Sequence, residues 1–179
     1  MAHIVLKHPS RRDRAPDIGD KFFFSKKYLR LVQSALGDWV LLYMPRRSGI
    51  SASGNYNAIA FAENIVEASE RNGHYVLSLS RLETLDPPLG AISPYVIYEK
   101  GLAEPGWKSP PQRQVRKLGD REFINILQDH LQGSAYQTHF NASSKEQEEH
   151  SRKIDLIEEL IRRDRERIRQ NFPHEPDGT

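Results

Sequence analysis

Two adjacent arginines, Arg46 and Arg47, begin a stretch whose side chains could bind a phosphate or the edge of a base. Serine, glycine and asparagine dominate the residues that follow, and positions 46–56 contain no aspartate or glutamate. Guanidinium groups pair with phosphates, and hydroxyl and amide groups bond to phosphates and base edges. The polar and aromatic residues considered as a nucleic-acid contact are Trp39, Tyr43, Arg46, Arg47, Ser48, Asn55, Tyr56, Asn57 and Tyr98.

Each of these side chains also has a structural explanation. Trp39 lies inside an apolar run, which favours a place in the core. Tyr43 is near the end of that run, so its ring could pack while its hydroxyl faces a pocket, and both interpretations stay open. Tyr56 lies in a turn, where we expect a ring that is available to a base. Asn55 and Asn57 could serve the turn itself, and the arginine pair could be solvated charges.

Two short apolar stretches flank this segment and predict the strands that hold it. Trp39–Met44 is almost continuously apolar and stops at Pro45, as expected of a buried strand. The side chains of residues 58–66 alternate along the chain before a polar stretch begins at Glu67, which predicts a second strand. Helical spacing over Lys26–Ala35 predicts a preceding helix that Gly37 ends.

Three further elements complete the predicted domain. The alternation over His74–Glu83 predicts a third strand, interrupted by the two prolines that follow Asp86. Gln114–Leu118 predicts a final strand. Asp120 is then the expected cap of a helix that runs to about Leu131 with one apolar stripe.

Both ends of the chain are polar. Residues 1–20 are basic and broken by proline, so we expect a flexible arm, with an arm that follows phosphates as the alternative. Residues 142–172 predict a long charged helix that opens on a capping box, and residues 173–179 predict a tail. The narrow apolar stripe of that helix suits docking, a homodimer or a nuclease partner bound through residues 143–170.

Composition excludes several function classes. The 179 residues include no cysteine, which rules out disulfides and thiolate chemistry. The seven histidines are scattered, and Glu99 beside Lys100 is a poor carboxylate–lysine pair because neighbouring strand residues point to opposite faces. We therefore expect no catalytic residue, no metal site and no cofactor. No apolar run is long enough to cross a bilayer or to serve as a signal peptide, so we expect a cytoplasmic protein without membrane contact.

Charge is distributed unevenly along the chain. The net charge is only +2, but residues 1–30 hold eight lysines and arginines against three acids. Residues 101–121 hold five against two. Positive charge thus collects on two segments that flank the central strands, which is compatible with a polyanionic partner.

The run from Gly37-Asp38-Trp39 to Arg46-Arg47, with the helix before it, resembles the N-terminal domain of certain bacterial HNH endonucleases. The wider pattern is similar to the PUA-like superfamily of ASCH, EVE, YTH and SRA-type readers, over about residues 21–132. The resemblance implies a pocket for a nucleobase, often a modified one, and DNA restriction as the setting. A charged helix stands where the nuclease module would follow, so the cleavage activity is not carried over.

The expected fold is therefore α+β: a small PUA-like, partly open β-barrel with flanking helices over residues 21–141, plus a long C-terminal charged helix. The expected function is that of a non-catalytic nucleic-acid reader in restriction or defence, with DNA favoured over RNA and a modified base as the ligand. Two alternatives remain. One is a protein-interaction subunit that acts through the C-terminal helix, and the other is an RNA-binding PUA-like protein.

Overall fold

A computed structural model describes residues 3–7, 20–45, 54–69, 72–90, 98–99, 113–135 and 144–171. The described residues form two compact units, Met1–Gly119 and Asp120–Thr179. The elements of the first unit are β1 (His3–Lys7), β2 (Lys21–Ser25), a 3₁₀ turn (Lys26–Tyr28), α1 (Leu29–Gln33), β3 (Trp39–Met44), β4 (Asn55–Glu67), β5 (His74–Gly90) and β6 (Val115–Leu118). The second unit contains α2 (Asp120–Ala135) and α3 (Ser144–Asn171).

The architecture is mixed α/β, with the six described strands in one sheet that curls into a half-barrel. The strand order is β2-β5-β4-β3-β1-β6. β1 runs parallel to β3 and antiparallel to β6, and the other neighbours are antiparallel. Register irregularities along β4 bend and twist its pairing with β5, which helps the sheet to curl.

β1 corrects the prediction of a flexible arm over residues 1–20. His3–Lys7 is an inner strand of the sheet, between β3 and β6. Ile4, Val5 and Leu6 are fully buried, so both faces of this short strand are covered. A strand covered on both faces needs a continuous apolar run rather than alternation, and these three residues supply one.

β3 is buried on both faces in the same way, which confirms its prediction. One face belongs to the main apolar core, to which β3 contributes Val40 and Leu42. The other face carries Leu41, which is also fully buried, as are Val5 on β1 and Ile59 on β4. The near-continuous apolar run from Trp39 to Met44 follows from this double burial.

β5 continues through the two prolines that were expected to interrupt it. Ala58 pairs with Thr84 and Tyr56 pairs with Leu89, so residues 85–88 of β5 lie opposite Asn57 alone. Proline lacks the N–H that regular pairing needs, and an irregular stretch of this kind tolerates it. The predicted break is therefore an irregular bulge of several residues inside one long strand.

The remaining boundaries follow the predictions with small shifts. The helix expected over Lys26–Ala35 is a 3₁₀ turn followed by the five residues of α1. The final strand is confirmed as β6. α2 extends past Leu131, where the helix was expected to end, to Ala135. None of the described helices combines the length and apolar composition that a membrane span requires.

The apolar stripe of α3 is already covered within a single chain. Ile157, Leu160 and Ile161 are buried, and α3 packs against α2. Asp164 continues this stripe and is also fully buried, with Arg163 donating to it at 3.2 Å and Arg167 donating from the next turn. A homodimer through residues 143–170 stays a prediction, but this stripe offers little exposed apolar surface for it.

Two glycines outside the sheet predict opposite effects of an added methyl group. Gly73 adopts φ +74° in the turn between β4 and β5, where an L-residue is strained. Gly133 lies in α2 with no atom within 4 Å of the position that a Cβ would occupy. We expect Gly73→Ala to lower the free energy of unfolding by about 1 kcal/mol, and Gly133→Ala to raise it by about 0.5–1 kcal/mol. Urea denaturation of both variants measures the contrast, and a shift of the same sign in both would contradict it.

Candidate functional site

Tyr43 and Tyr56 face each other near the ends of β3 and β4, the two strands that flank the basic 46–53 segment. They are a cross-strand pair of β3 and β4, and Met44 pairs with Asn55 one step further out. The ring centroids lie 5.9 Å apart in an edge-to-face arrangement at 61°. Such a pair adds a favourable quadrupole contact to the area that it buries.

A bulge at Asn57 produces this pairing. Leu42 pairs with Ala58 and Tyr43 pairs with Tyr56, so Asn57 is an extra residue on β4. With strict alternation Tyr56 would lie on the same side as Ala58, in the main apolar core. The bulge re-aims the Tyr56 side chain to the side of Tyr43.

A buried ion pair adjoins the two tyrosines. Arg116 on β6 donates from Nε to Glu99 Oε2 and from Nη2 to Glu99 Oε1, both at 2.7 Å. The Tyr56 hydroxyl donates to Glu99 Oε1 at 2.6 Å. The guanidinium carbon of Arg116 lies 4.7 Å from the ring centroid of Tyr43, a cation–π contact.

Tyr98 completes the group. Its ring meets that of Tyr56 edge to face, with 6.2 Å between centroids. Together, Tyr43, Tyr56, Tyr98, Glu99 and Arg116 form what we call the tyrosine–arginine cluster. All five residues are buried, which makes the cluster a polar interior within a largely apolar unit.

Burial sets the protonation of both central tyrosines. Burial raises the pKa of Tyr56 far above its ordinary value of 10.0, and the Glu99 carboxylate, which accepts a hydrogen bond from this hydroxyl, raises it further. Burial also raises the pKa of Tyr43, while the nearby Arg116 charge acts in the opposite direction. Both phenols are therefore neutral at ordinary pH and can donate a hydrogen bond.

Three polar atoms in and beside the cluster lack a hydrogen-bond partner in the part of the chain that the structure describes. They are Arg116 Nη1, Tyr43 Oη and Asn57 Oδ1. The Gly54 backbone lies close enough to the Tyr43 hydroxyl to oppose part of the rise in its pKa, but the contact is not a well-formed hydrogen bond. A buried polar atom without a partner costs about 1–3 kcal/mol, so such atoms mark places where a ligand or water would be stabilised.

No protein-family model, curated protein or solved structure matches this chain. The candidate site is therefore defined by its own geometry.

The structure describes only some of the predicted site residues, and it brings three of them together. Arg46, Arg47 and Ser48 lie outside the described residues. Asn55 begins β4 and is half-buried, and Asn57 occupies the bulge. The residues that the fold brings together in the tyrosine–arginine cluster are Tyr43, Tyr56 and Tyr98.

Two of the aromatic predictions can be judged by burial. Tyr56 was expected to be exposed in a turn, and this is wrong, because the ring lies on β4 between Tyr43 and Tyr98. Trp39 is 3% exposed, in agreement with the core interpretation. Its ring packs edge to face on Phe61 and carries the Arg81 guanidinium at 5.2 Å.

Sequence reasoning missed both members of the ion pair. Glu99 was considered only as a metal-binding partner of Lys100, and Arg116 only as part of a strand. Arg116 does interrupt an otherwise apolar side of β6, since it pairs with the fully buried Val5. A charged residue on the buried side of a predicted strand is a signal for an internal partner, but it does not identify that partner.

The two raised tyrosine pKa values predict a loss of stability at high pH. Above pH 10.0, the unfolded chain loses phenol protons that the folded chain keeps, so unfolding releases protons and stability falls as pH rises. Below pH 10.0, these groups add no pH dependence. Tyr56 contributes a slope of up to about 1.4 kcal/mol per pH unit. Urea unfolding between pH 8 and pH 11 should therefore show a shallower decline for Tyr56→Phe than for the wild type, and equal slopes would contradict the assignment.

Proposed function

We propose that this chain is a non-catalytic nucleic-acid reader, with DNA that carries a modified base as its favoured ligand. One observation carries the proposal. The pairs Tyr43–Tyr56 and Met44–Asn55 hold both ends of the basic 46–53 segment at one end of the sheet, beside the buried Arg116 cation. A scaffold of paired strands that presents a basic, donor-rich segment suits phosphate and base contacts.

The curled six-stranded sheet supports the finer fold proposal of a PUA-like, partly open barrel, followed by a long charged helix. Two of its central strands, β3 and β4, are the elements that flank the basic segment in the sequence. This arrangement is compatible with a pocket that opens at the end of the barrel, where β3 and β4 join that segment.

The residues divide into two roles in this proposal. Arg46, Arg47 and Ser48 contact phosphates, and Asn55 reaches the base from the start of β4. Tyr43 and Tyr56 act differently from a surface stacking platform, because both rings are fully buried. Together with Tyr98 and the ion pair, they stabilise the ends of β3 and β4 that flank the 46–53 segment.

Binding measurements test the proposal. Fluorescence anisotropy would measure the affinity for duplexes that are identical except for one modified or unmodified base. The measurement would be made at two salt concentrations, for the full chain and for the double variant Arg46→Ala/Arg47→Ala. We expect tighter binding to modified DNA, weaker binding in high salt and a reduced salt dependence in the double variant. Equal weak affinity for every duplex would leave only a basic surface, and no affinity would end the proposal. An RNA duplex and an RNA single strand would distinguish the RNA alternative.

A groove in the second unit favours a second candidate function, that of a protein-interaction subunit. The groove between α2 and α3 has a volume of about 520 Å³ and a mixed lining. Its charged lining residues are Arg162, Arg165, Arg169, Glu158 and Glu166, and Leu131 and Ile161 contribute apolar surface. The double variant Arg165→Glu/Arg169→Glu discriminates between the candidates. Loss of a co-purifying partner with unchanged DNA affinity would favour this function, and the reverse would favour the reader.

A further inference from the structure

An apolar row crosses one face of the sheet on the side away from the main core. Phe23 on β2 pairs with Val76 on β5, and Val76 pairs with Val66 on β4. Directly paired residues project to the same face of a sheet and contact each other. Phe22 and Phe24 belong to the main core, so Phe23 between them projects outwards and the row with it. Phe23 is 51% exposed and Val66 is 53% exposed, whereas Val76 between them is 9% exposed.

Phe23 carries the most exposed aromatic ring in the part of the chain that the structure describes. The rings of Tyr43, Tyr56 and Tyr98 are buried and offer no face to a ligand. A base stacks on a ring that solvent can reach, and this contact needs no particular base. Phe23 meets that requirement, and Val76 supports the ring from the neighbouring strand.

The charge beside this ring suits a polyanion. Residues 21–37 contain four lysines and arginines and no aspartate or glutamate. Lys21 is exposed on the same face of β2 as Phe23, roughly 7 Å away along the strand. Exposed acidic residues lie instead on β4, at Glu63 and Glu67. Phosphates are therefore attracted to the β2 side of the face.

The size of the row favours a base over a protein partner. The exposed half of a phenylalanine side chain offers roughly 100 Å² of surface. The smaller side chain of Val66 adds less. A stable protein interface buries about 800 Å² on each partner. The row is too small to anchor a second copy of the chain, but one ring is enough to stack one base.

We infer that Phe23 and Lys21 bind a single strand of DNA, with one base stacked on the Phe23 ring and a phosphate beside the Lys21 ammonium group. The inference rests on the proposed function for the class of ligand and adds a second contact to it. Asn55, beside the basic 46–53 segment, and Val66 lie near opposite ends of the 13 residues of β4. Up to roughly 35 Å of strand separates them, so the two contacts can be disrupted independently. The preferred DNA is a duplex with a single-stranded extension.

Fluorescence anisotropy with a labelled oligothymidine of about ten nucleotides tests the stacking contact. We expect Phe23→Ala and Phe23→Leu to weaken binding about tenfold, and Phe23→Trp to retain it, because a base needs an aromatic face. Val66→Ala removes apolar surface from the other end of the row and should leave the affinity nearly unchanged. Since both positions are exposed, these variants should fold, and circular dichroism would verify this.

A second measurement tests the phosphate contact separately. Lys21→Ala should lower the slope of log affinity against log salt concentration by about 0.7, the value for one phosphate of a single strand. Phe23→Leu should weaken binding without changing this slope, because the ring carries no charge. Arg162→Ala removes an exposed cation from α3 and should leave both the affinity and the slope unchanged.

Each failure has a different meaning. Full affinity in Phe23→Ala, or in Phe23→Leu, overturns the stacking contact, and an unchanged slope in Lys21→Ala overturns the phosphate contact. Absence of oligothymidine binding, with the modified duplex still bound, overturns this inference and leaves the proposed function in place. Absence of binding to both overturns the two together. A lower mass of Phe23→Ala in light scattering would assign the row to a contact between copies and would also overturn this inference.

Discussion

Replacing Glu99 by alanine is expected to lower the free energy of unfolding by about 3–5 kcal/mol, the largest effect of any single change considered for the cluster. The substitution leaves the Arg116 guanidinium buried without its carboxylate and removes the acceptor of the Tyr56 hydroxyl. Both side chains of the pair are less than a tenth exposed, so solvent screens the loss only weakly. Urea denaturation followed by tryptophan fluorescence reports on the right unit, because both tryptophans belong to Met1–Gly119.

Two matched variants separate charge from packing. Glu99→Gln keeps the shape and an acceptor for Tyr56, so it should cost less than Glu99→Ala. The double variant Glu99→Leu/Arg116→Met removes both charges together and should recover most of the loss, because an apolar pair avoids the desolvation of two ions. A cost below about 1 kcal/mol for Glu99→Ala would mean that water reaches the pair freely, and the description of a buried cluster would be wrong.

Substituting Gly54 by alanine is expected to cost about 3 kcal/mol and to weaken nucleic-acid binding. A Cβ at this position would lie well inside 3.0 Å of the Met44 carbonyl oxygen and of the Tyr43 hydroxyl. The carbonyl belongs to backbone and the hydroxyl to a fully buried ring, so neither can move cheaply. A shift of the ends of β3 and β4 relieves the clash, and it changes where the chain enters and leaves the segment that carries Arg46 and Arg47.

Controls for this prediction are available within the chain. Gly133→Ala adds the same methyl group in open space and should stabilise the protein. Tyr43→Phe removes one of the three atoms that the added Cβ would approach within 3.0 Å and leaves the ring carbon Cζ and the Met44 carbonyl oxygen. Gly54→Ala should therefore cost somewhat less in that background than in the wild type, with a coupling of up to about 1 kcal/mol. Strict additivity of the two substitutions, or a Gly54→Ala protein with full stability, would contradict the close approach of Gly54 to Tyr43.

Local sequence patterns predicted those strands and helices in which the apolar residues form a continuous run or recur at a regular spacing. The apolar run of β3 and the alternation of β4 and β5 are confirmed as strands. β6 and α2 were also placed within a few residues. The formation of these elements depends on residues that are close together in the sequence and on which of their faces are covered. The spacing of apolar residues contains this information.

Long-range pairing explains the failures. The apolar run Ile4–Leu6 is too short to predict a strand by itself, and its burial depends on β3 and β6, which enclose it. The bulge at Asn57 reverses the side on which Tyr56 lies, and no local signal announces a one-residue shift of register. The contact between Glu99 and Arg116 depends on the same topology, so the sequence alone could not assign the polar cluster.

The inner position of β1 has a consequence for how the protein is made. β1 is synthesised before both of its neighbours, β3 and β6, and His3 pairs with Leu118. A nascent chain that has not yet exposed Leu118 leaves one edge of β1 without its strand. Closing so long a stretch of chain is slow, which predicts that β6 docks late during folding.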